Sequence, residues 1–278
     1  MNHSPRIAFI GVGNMAGAIA AGMIKNGFSR HEVFGTTRSA DSAQRASAAY
    51  GIDVHTDNAA AIAQADVVVL AVKPQMMQAT CRSLKADLQA RQPLVVSVAA
   101  GIRAEDLEDW LGGNLAVVRC MPNTPSLVGA GMSGLYANAR TTEEQKALTT
   151  RMFKAVGGTV WVDREEDMHT VTAISGSGPA YFYRFVEALM KAGQARGLSE
   201  QQAHELATCT ALGAARMMTE TEDSPALLRQ KVCSPKGTTE QAIMTFDREG
   251  LDTIVEHAVQ ACFGRSEELA RELAVKDT

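Results

Sequence analysis

The chain has 278 residues, of which 46% are apolar, and its formal net charge at pH 7 is −4. This length and apolar content are sufficient for one large hydrophobic core or two medium ones. The small negative charge gives no basic surface for nucleic acid, and no apolar run is long enough to span a bilayer. We therefore expect a soluble protein that binds neither nucleic acid nor membranes.

The cysteines and histidines show no pattern typical of a metal site. The cysteines are odd in number, scattered and without a C-x-x-C pair: Cys81, Cys120, Cys209, Cys233 and Cys262. This is typical of reduced thiols, and the histidines lack ligand spacing, so we expect a cytoplasmic protein without a bound metal. Cys233 could be a nucleophile, but no base lies near it in sequence, which favours a buried small side chain.

A dinucleotide-binding motif lies close to the start of the chain. The apolar run that begins at Arg6 resembles a buried strand and leads into G-x-G-x-x-A at the start of a helix. Gly11 permits the tight turn, Gly13 lets a pyrophosphate approach the backbone, and Ala16 allows close helix packing. The embedded glycines disfavour a secretory signal, and their intact spacing disfavours a degenerate site. We expect cofactor contacts from four residues of this loop: Gly11, Gly13, Asn14 and Met15.

The residues after the second predicted strand bear on the choice of cofactor. That strand, Glu32–Gly35, is followed by two threonines, Arg38 and Ser39. An enzyme that uses NAD usually has Asp or Glu here, to hold the ribose 2′-hydroxyl. A guanidinium and three hydroxyls suit a 2′-phosphate instead. We therefore expect Arg38 and Ser39 to bind NADPH, with NADH as a possible second cofactor.

Alternating strands and helices predict a doubly wound parallel sheet over residues 1–163. The clearest strands are Asp66–Val72, Leu94–Val98, Leu115–Cys120 and Thr159–Val162. Ligands of such sheets bind beyond the carboxyl ends of the strands. This rule singles out the segments that begin at Lys73, Ala99 and Met121, the last of which includes Asn123.

Residues 164–278 contain helical patterns without strand signals, which predicts an all-α second domain. Gly197 ends one helix, and Ser199 with Gln202 has the spacing of a capping box at the start of the next. That next helix is rich in alanine, as expected for close helix–helix packing. Two interpretations remain open for it, an interface between subunits and a core helix within one subunit.

The segment Ser234–Thr239 has the composition of a turn that opens a helix. Thr238 with Gln241 has capping-box spacing, so we expect Thr238 to be the N-cap. Backbone amides and hydroxyls then gather at the positive end of a helix dipole, which suits a small carboxylate. An ordinary capped helix is the alternative interpretation.

Four sequence blocks resemble those of pyrroline-5-carboxylate reductases. They are AVKP from Ala71, MPNTP from Met121, ISGSGPAY from Ile174 and VCSPKGTT from Val232. The resemblance covers essentially the whole chain, and its last two blocks are specific. It implies reduction of a cyclic imine, 1-pyrroline-5-carboxylate, to L-proline by NAD(P)H, which is the last step of proline biosynthesis. It also implies an intertwined homodimer of helical domains, in some cases assembled into a larger ring.

The resemblance also implies site residues. Ser234, Gly237, Thr238 and Thr239 are expected to meet the substrate, and Asn58, Ala71, Val72 and Lys73 to line the cofactor. From the chemistry of imine reduction, we expect the amides of Gly237 and Thr238 and the hydroxyl of Ser234 to hold the carboxylate. Thr239 is the candidate donor to the ring nitrogen, as a catalytic residue that orients or relays a proton.

Two positions depart from the family pattern, and both leave a question for the structure. Lys236 replaces a usual glycine, so a left-handed backbone there would be strained. His169 replaces a usual aspartate, which leaves the role of that position open.

Two other classes of protein share parts of this pattern. A β-hydroxyacid dehydrogenase has a lysine one helical turn after its glycine cluster, whereas here no lysine follows Gly178 until Lys191. A non-catalytic nucleotide-binding regulator would need the loop at Gly11 but no intact Ser234–Thr239 turn. Cofactor turnover distinguishes such a regulator from an enzyme.

Overall fold

The computed structural model describes residues 4–274. Eight strands form one sheet: β1 (Ile7–Ile10), β2 (Val33–Thr36), β3 (Asp53–His55), β4 (Val67–Leu70), β5 (Leu94–Ser97), β6 (Val117–Met121), β7 (Gly131–Ala137) and β8 (Gly157–Trp161). Seven helices accompany this sheet: α1 (Asn14–Lys25), α2 (Ala40–Tyr50), α3 (Asn58–Ala63), α4 (Pro74–Arg91), α5 (Ala104–Leu111), α6 (Glu143–Lys154) and α7 (Asp167–Val171). The remaining five helices are α8 (Gly178–Gln194), α9 (Glu200–Glu220), α10 (Pro225–Val232), α11 (Thr238–Arg248) and α12 (Leu251–Ala274).

The sheet has the order β3-β2-β1-β4-β5-β6-β7-β8, and its first six strands are parallel. Successive residues of β1 alternate between two apolar cores, one on each face of the sheet. Ile7 and Phe9 belong to one core, and Ala8 and Ile10 belong to the other. A strand buried on both faces must be apolar throughout, which explains the continuous apolar runs in the sequence. The predicted Rossmann class is confirmed.

The sheet departs from a fully parallel one at β7, which pairs antiparallel with β6. A short 3-10 turn, Thr124–Val128, connects the two strands in place of a crossover helix. An antiparallel neighbour needs only such a short connection, whereas a parallel one needs a crossover. No expectation covered β7, because the glycines Gly131 and Gly134 weaken its strand pattern.

The chain divides into two compact units. The first comprises the described residues up to Ser177 and those from Cys262 onward, and the second is Gly178–Ala261. We expected a division after residue 163, but Met168, Ala173 and Ala270 are buried within the first unit. Burial of these side chains joins the segment after β8 and the end of α12 to the Rossmann sheet.

Helices account for the second unit, as predicted. Helix α9 begins with the predicted capping box between Ser199 and Gln202, and Gly197 has a positive φ of 96°. Within residues 4–274, no helix is long and apolar enough to cross a membrane.

Candidate functional site

The glycine loop has the geometry expected of a dinucleotide-binding turn. Gly11 has a φ of +90°, and a Cβ atom there would lie 2.8 Å from Val72 Cγ1. A Cβ atom at Gly13 would meet nothing within 4 Å, and Gly13 is the exposed N-cap of α1. Ala16 is buried beneath it. The loop therefore leaves open space at the positive end of a helix dipole, which fits a pyrophosphate.

Hydrogen bonds connect this loop to the end of β2 and to α3. The N–H groups of Gly11 and Val12 both donate to the carbonyl of Thr36, at 3.0 and 2.9 Å. The Thr36 hydroxyl donates to Asn58 Oδ1 at 2.6 Å. The structure thus brings Asn58, which was expected from the resemblance, into contact with the strand that leads to Arg38.

Arg38 and Ser39 lie just beyond β2, and both are exposed. Ser39 is the N-cap of α2, where its hydroxyl accepts from the N–H of Ser42 at 3.3 Å. Arg38 therefore lies beside a helix N-terminus, and both features attract an anionic group.

The segment Ala71–Lys73 is adjacent to the glycine loop. Its first amide, that of Ala71, donates to the carbonyl of Ile10 at 2.9 Å. The sequence placed this segment partly within a strand, but β4 ends at Leu70 and Lys73 is already the N-cap of α4. These residues therefore lie at the carboxyl edge of the sheet, where Rossmann folds bind their ligands.

At the end of β6, Asn123 connects two of the four sequence blocks. Its Oδ1 accepts from the N–H of Met132 at 2.8 Å, and its Nδ2 donates to the carbonyl of Ser175 at 3.0 Å. Ser175 belongs to a π-helical segment, Thr172–Gly176, and such segments are frequent at functional sites. Sequence reasoning noted the neighbourhood of Asn123 but not this contact.

An ion pair between the buried Arg119 and the half-buried Glu165, which sequence reasoning missed, supports the same region. Arg119 Nη1 lies 2.7 Å from Glu165 Oε1, and the same oxygen accepts from the N–H of Ala104 at 2.6 Å. An arginine within an otherwise apolar strand was the available signal, because a buried cation needs a partner.

His169, one of the two positions that depart from the family pattern, has a packing role. Its Nδ1 lies 2.9 Å from Ser266 Oγ, and its ring meets that of Phe263 edge-on, with 5.8 Å between the ring centroids. Burial, and then the charge of Arg119, lower the pKa of His169. The neutral ring thus joins the end of α12 to α7 within the first unit.

The second unit contains the turn Ser234–Gly237. The N–H of Gly237 donates to the carbonyl of Ser234 at 2.9 Å, and Lys236 has a φ of +61°. Proline at the second position and a positive φ at the third position are the features of a type II turn. Lys236 therefore has the left-handed backbone that its family departure put in question.

Two expectations about this turn were wrong. Helix α11 begins one residue earlier than predicted, with Gly237 as the N-cap, so Thr238 and Gln241 form no capping box. Instead, Glu240 accepts from the N–H of Lys236 at 2.8 Å. The amide of Gly237 is used inside the turn, so it is not available to a carboxylate. The amide of Thr238 is in the first helical turn, where no earlier carbonyl of the helix reaches it.

The described residues contain no group of three or more His, Cys, Asp or Glu side chains that could hold a metal ion. All five cysteines are free. Burial raises the pKa of Cys81 to about 12 and that of Cys120 well above its usual value, so neither thiol ionises readily. Cys233 is half-buried at the end of α10.

The fold and the glycine loop define an oxidoreductase of the Rossmann class, and a family model described as "NADP oxidoreductase coenzyme F420-dependent" matches residues 6–101. A second model, described as "Pyrroline-5-carboxylate reductase dimerisation", matches residues 165–269. The pyrroline-5-carboxylate reductase of Pseudomonas aeruginosa is 47% identical over 97% of this chain and 98% of its own length. The chain therefore belongs to the pyrroline-5-carboxylate reductase family, as its sequence blocks predicted.

Solved structures agree with this assignment. A pyrroline-5-carboxylate reductase from Coxiella burnetii superposes with a TM-score of 0.93 at 42% identity, covering 96% of this chain and 99% of that one. The pyrroline carboxylate reductase of Plasmodium falciparum, solved with NADP bound, gives a TM-score of 0.82 at 27% identity. That match covers 96% of this chain and 98% of the other.

Proposed function

We propose that the chain reduces 1-pyrroline-5-carboxylate to L-proline, with NADPH as the preferred hydride donor. The observation that carries this proposal is the turn before α11 in a member of this reductase family. Gly237 caps the helix without a side chain, so the hydroxyls of Thr238 and Thr239 are not used as the N-cap. The N-terminus of this helix carries partial positive charge, which suits the carboxylate of a small substrate. The two threonine hydroxyls and the adjacent serine can form hydrogen bonds with its polar groups.

The substrate carboxylate is assigned to Ser234 and Thr238. The Ser234 side chain is exposed, and the Thr238 amide is in the first turn of α11, where the helix dipole favours negative charge. Gly237 allows residues 234 and 237 to lie close together in the turn, because a Cβ atom at residue 237 would lie only 2.8 Å from the Ser234 carbonyl oxygen. A larger residue would open the turn and move both groups.

The ring nitrogen is assigned to Thr239, which is half-buried at the second position of α11. When bound, NADPH supplies the hydride that goes to the imine carbon, and the nitrogen must carry a proton or accept a hydrogen bond. A threonine hydroxyl is a poor acid, so Thr239 orients the nitrogen or relays a proton from water. Positioning and exclusion of water carry most of the rate.

The preference for NADPH is assigned to Arg38 and Ser39. Two hydroxyls and a guanidinium follow β2, and no carboxylate occupies residues 36–39 to hold a free ribose 2′-hydroxyl. The pyrophosphate is assigned to the loop from Gly11 to Met15, and the remaining cofactor contacts to Asn58 and Ala71–Lys73. The NADP bound to the Plasmodium falciparum relative supports this choice.

The second unit is assigned to dimer formation. The structure describes every residue of this unit, and among them only Ala203 and Ala207 have buried apolar side chains. Exposed side chains such as Leu206 and Leu212 line α9, and a unit without its own core needs a partner to cover it. A homodimer supplies that cover, and a ring of dimers is the larger assembly proposed. The free cysteines favour the cytoplasm as its location.

The substitution Thr239→Val tests the chemistry, because valine keeps the shape of the side chain and removes the hydroxyl. We expect kcat to fall roughly ten- to a thousandfold, since a contact that strengthens in the transition state is lost. The measurement is NADPH oxidation with 1-pyrroline-5-carboxylate, beside a six-membered cyclic imine as a specificity control.

Ser234→Ala is the matched variant for this test. A carboxylate anchor acts in the ground state and the transition state alike, so we expect KM to rise while kcat changes little. If Thr239→Val keeps kcat within twofold of the parent, the proton comes from another group. If the parent reduces neither imine, the proposed function is wrong.

A further inference from the structure

Asn123 is a buried side chain whose whole carboxamide is engaged. Its oxygen accepts from the N–H of Met132 at the start of β7, and its nitrogen donates to the carbonyl of Ser175. Only 8% of the residue is exposed. An unpartnered buried amide is costly, so both hydrogen bonds restrain the side chain to one orientation.

The sequence explains why the Ser175 carbonyl needs this donor. In an α-helix that carbonyl would accept from the residue four positions on, but residue 179 is proline and has no N–H. The backbone here instead makes a hydrogen bond of the π-helical pattern, in which the N–H of Ser177 donates to the carbonyl of Thr172, five residues earlier, at 2.8 Å. Asn123 thus satisfies a backbone group that Pro179 leaves without its helical partner.

The segment that Asn123 holds packs at the carboxyl end of β6. Gly176 lies against the side chain of Met121, the last residue of β6, since a Cβ atom at Gly176 would lie 2.5 Å from Met121 Cε. Ser177, which ends the segment, also accepts a hydrogen bond from Cys262 Sγ at 3.2 Å. In Rossmann folds the reactive end of the dinucleotide binds beyond the carboxyl ends of the central strands, which is this edge of the sheet.

We propose that Asn123 is a positioning residue for hydride transfer. It acts through its hydrogen bond to Ser175, which restrains the π-helical segment Thr172–Gly176. This segment then has a fixed position at the edge of the sheet where the nicotinamide is expected to bind. This inference rests on the proposed reductase function for its kinetic test alone. The hydrogen bond itself is tested without any substrate.

The test compares Asn123→Leu with Asn138→Leu. Asn138 serves as the control because it is about as buried and more heavily hydrogen-bonded. Its oxygen accepts from the N–H groups of Val117 and Arg140 and from the Thr141 hydroxyl, and its nitrogen donates to the Leu115 carbonyl and to Glu108. These contacts are at the opposite, amino-terminal end of β6. We expect Asn138→Leu to lose at least as much thermal stability as Asn123→Leu, because it removes more hydrogen bonds. Only Asn123→Leu should lose tenfold or more in kcat, with the Kd for NADPH within threefold of the parent.

A third variant, Asn123→Asp, keeps the oxygen that accepts from Met132 and removes the donor to Ser175. At high pH its carboxylate faces a carbonyl, and we expect kcat to fall at least tenfold. As pH falls and the carboxyl becomes protonated, its O–H can donate to Ser175 again. We therefore expect kcat relative to the parent at the same pH to recover, whereas Asn123→Leu shows no such recovery.

Hydrogen exchange by mass spectrometry reports on the segment independently of activity. We expect faster amide exchange over residues 172–177 in Asn123→Leu and in Asn123→Asp at high pH, and parent-like exchange there in Asn138→Leu. The proposal is overturned if exchange over residues 172–177 is unchanged, or if Asn138→Leu loses as much kcat as Asn123→Leu. A parent that fails to reduce the imine would contradict the proposed function, while the exchange result would still decide the hydrogen bond.

Discussion

Lys236 carries an L side chain in a backbone conformation that favours glycine. Its φ of +61° follows from its position as the third residue of the turn Ser234–Gly237, while its own N–H is held by Glu240. The left-handed region costs an L-residue roughly 1–2 kcal/mol. The turn therefore stores strain beside the residues assigned to the substrate.

Lys236→Gly is expected to relieve this strain. Glycine gains freedom in the unfolded state, which offsets part of the relief, so the free energy of unfolding should rise by roughly 1 kcal/mol. Thermal or urea unfolding of the whole protein measures it. Lys236→Ala is the control, because alanine keeps the Cβ atom and hence the strain. Equal stabilities for the glycine and alanine variants would show that the turn is not strained.

Arg38 is the residue that should distinguish the two cofactors, because only NADPH carries the 2′-phosphate. We expect Arg38→Ala to weaken NADPH binding by roughly 1.5–3 kcal/mol, the cost of losing a hydrogen bond to a charged group, and to leave NADH nearly unchanged. Fluorescence titration with each cofactor gives the two Kd values. Arg82, an exposed arginine in the middle of α4, is a suitable control as Arg82→Ala. Equal losses for both cofactors in Arg38→Ala would exclude recognition of the phosphate.

At the scale of elements, strand β6 depends on polar contacts at several points. Asn138 binds its first residue, Asn123 follows its last residue, and Arg119 pairs with Glu165 beyond β8. Glu165 also accepts from the N–H of Ala104, so the ion pair connects the strand to the start of α5, and Asn123 connects its end to the π-helical segment Thr172–Gly176. The end of β6 is therefore fixed from several directions, as a site that must hold two reactants in register requires.

The ion pair at β6 provides a stability prediction. Glu165→Gln keeps the size of the side chain but leaves Arg119, which is 5% exposed, without an anion. Removing one partner of a fully buried pair costs about 3–5 kcal/mol. Because Glu165 is only half-buried, we expect the free energy of unfolding to fall by an amount toward the lower end of that range.

Glu143→Gln is the control for this prediction, because the exposed Glu143–Lys146 pair should contribute less than about 1 kcal/mol. Urea unfolding measures both variants. If Glu165→Gln costs no more than Glu143→Gln, the buried pair does not stabilise the strand.

At the scale of the whole molecule, the two units differ in how they are stabilised. The Rossmann unit has an apolar core on each face of its sheet, whereas the helical unit buries almost none of its apolar side chains within the chain. Hydrophobic burial is the main favourable term in folding, and in the proposed homodimer a second subunit supplies the burial that the helical unit lacks. This accounts for a family model of dimerisation that matches residues 165–269.

Leu212→Lys tests this dependence by placing a charge on the exposed face of α9. Burying an unpaired ammonium is costly, so we expect the dimer to dissociate at micromolar concentration. Light scattering over a concentration series measures the mass. Leu127→Lys is the matched control, since Leu127 is about as exposed, at 58% against 56%, but lies in the Rossmann unit. A Leu212→Lys protein with the parent's mass would place the interface elsewhere.

Several features of this protein could be predicted from its sequence because they depend on local chemistry. The glycine loop, the apolar strands, the Ser199 capping box and the sequence blocks of the family could all be recognised, because each depends on residues close together in the chain. The residue at which α11 begins could not be predicted in the same way. Thr238 was the expected N-cap, but Gly237 has an extended backbone (φ −82°, ψ 170°) and the helix begins at Thr238, so Gly237 is the N-cap.

Only the tertiary structure decided which distant groups meet. The antiparallel strand β7, the Arg119–Glu165 pair and the contact from Asn123 to Ser175 each join segments far apart in sequence. No local periodicity encodes such partners, because they are selected by the requirement that buried polar groups find hydrogen bonds once the chain is compact. The sequence by itself thus determined the family and the cofactor loop, and the packing of the sheet determined how the edge around Asn123 is held.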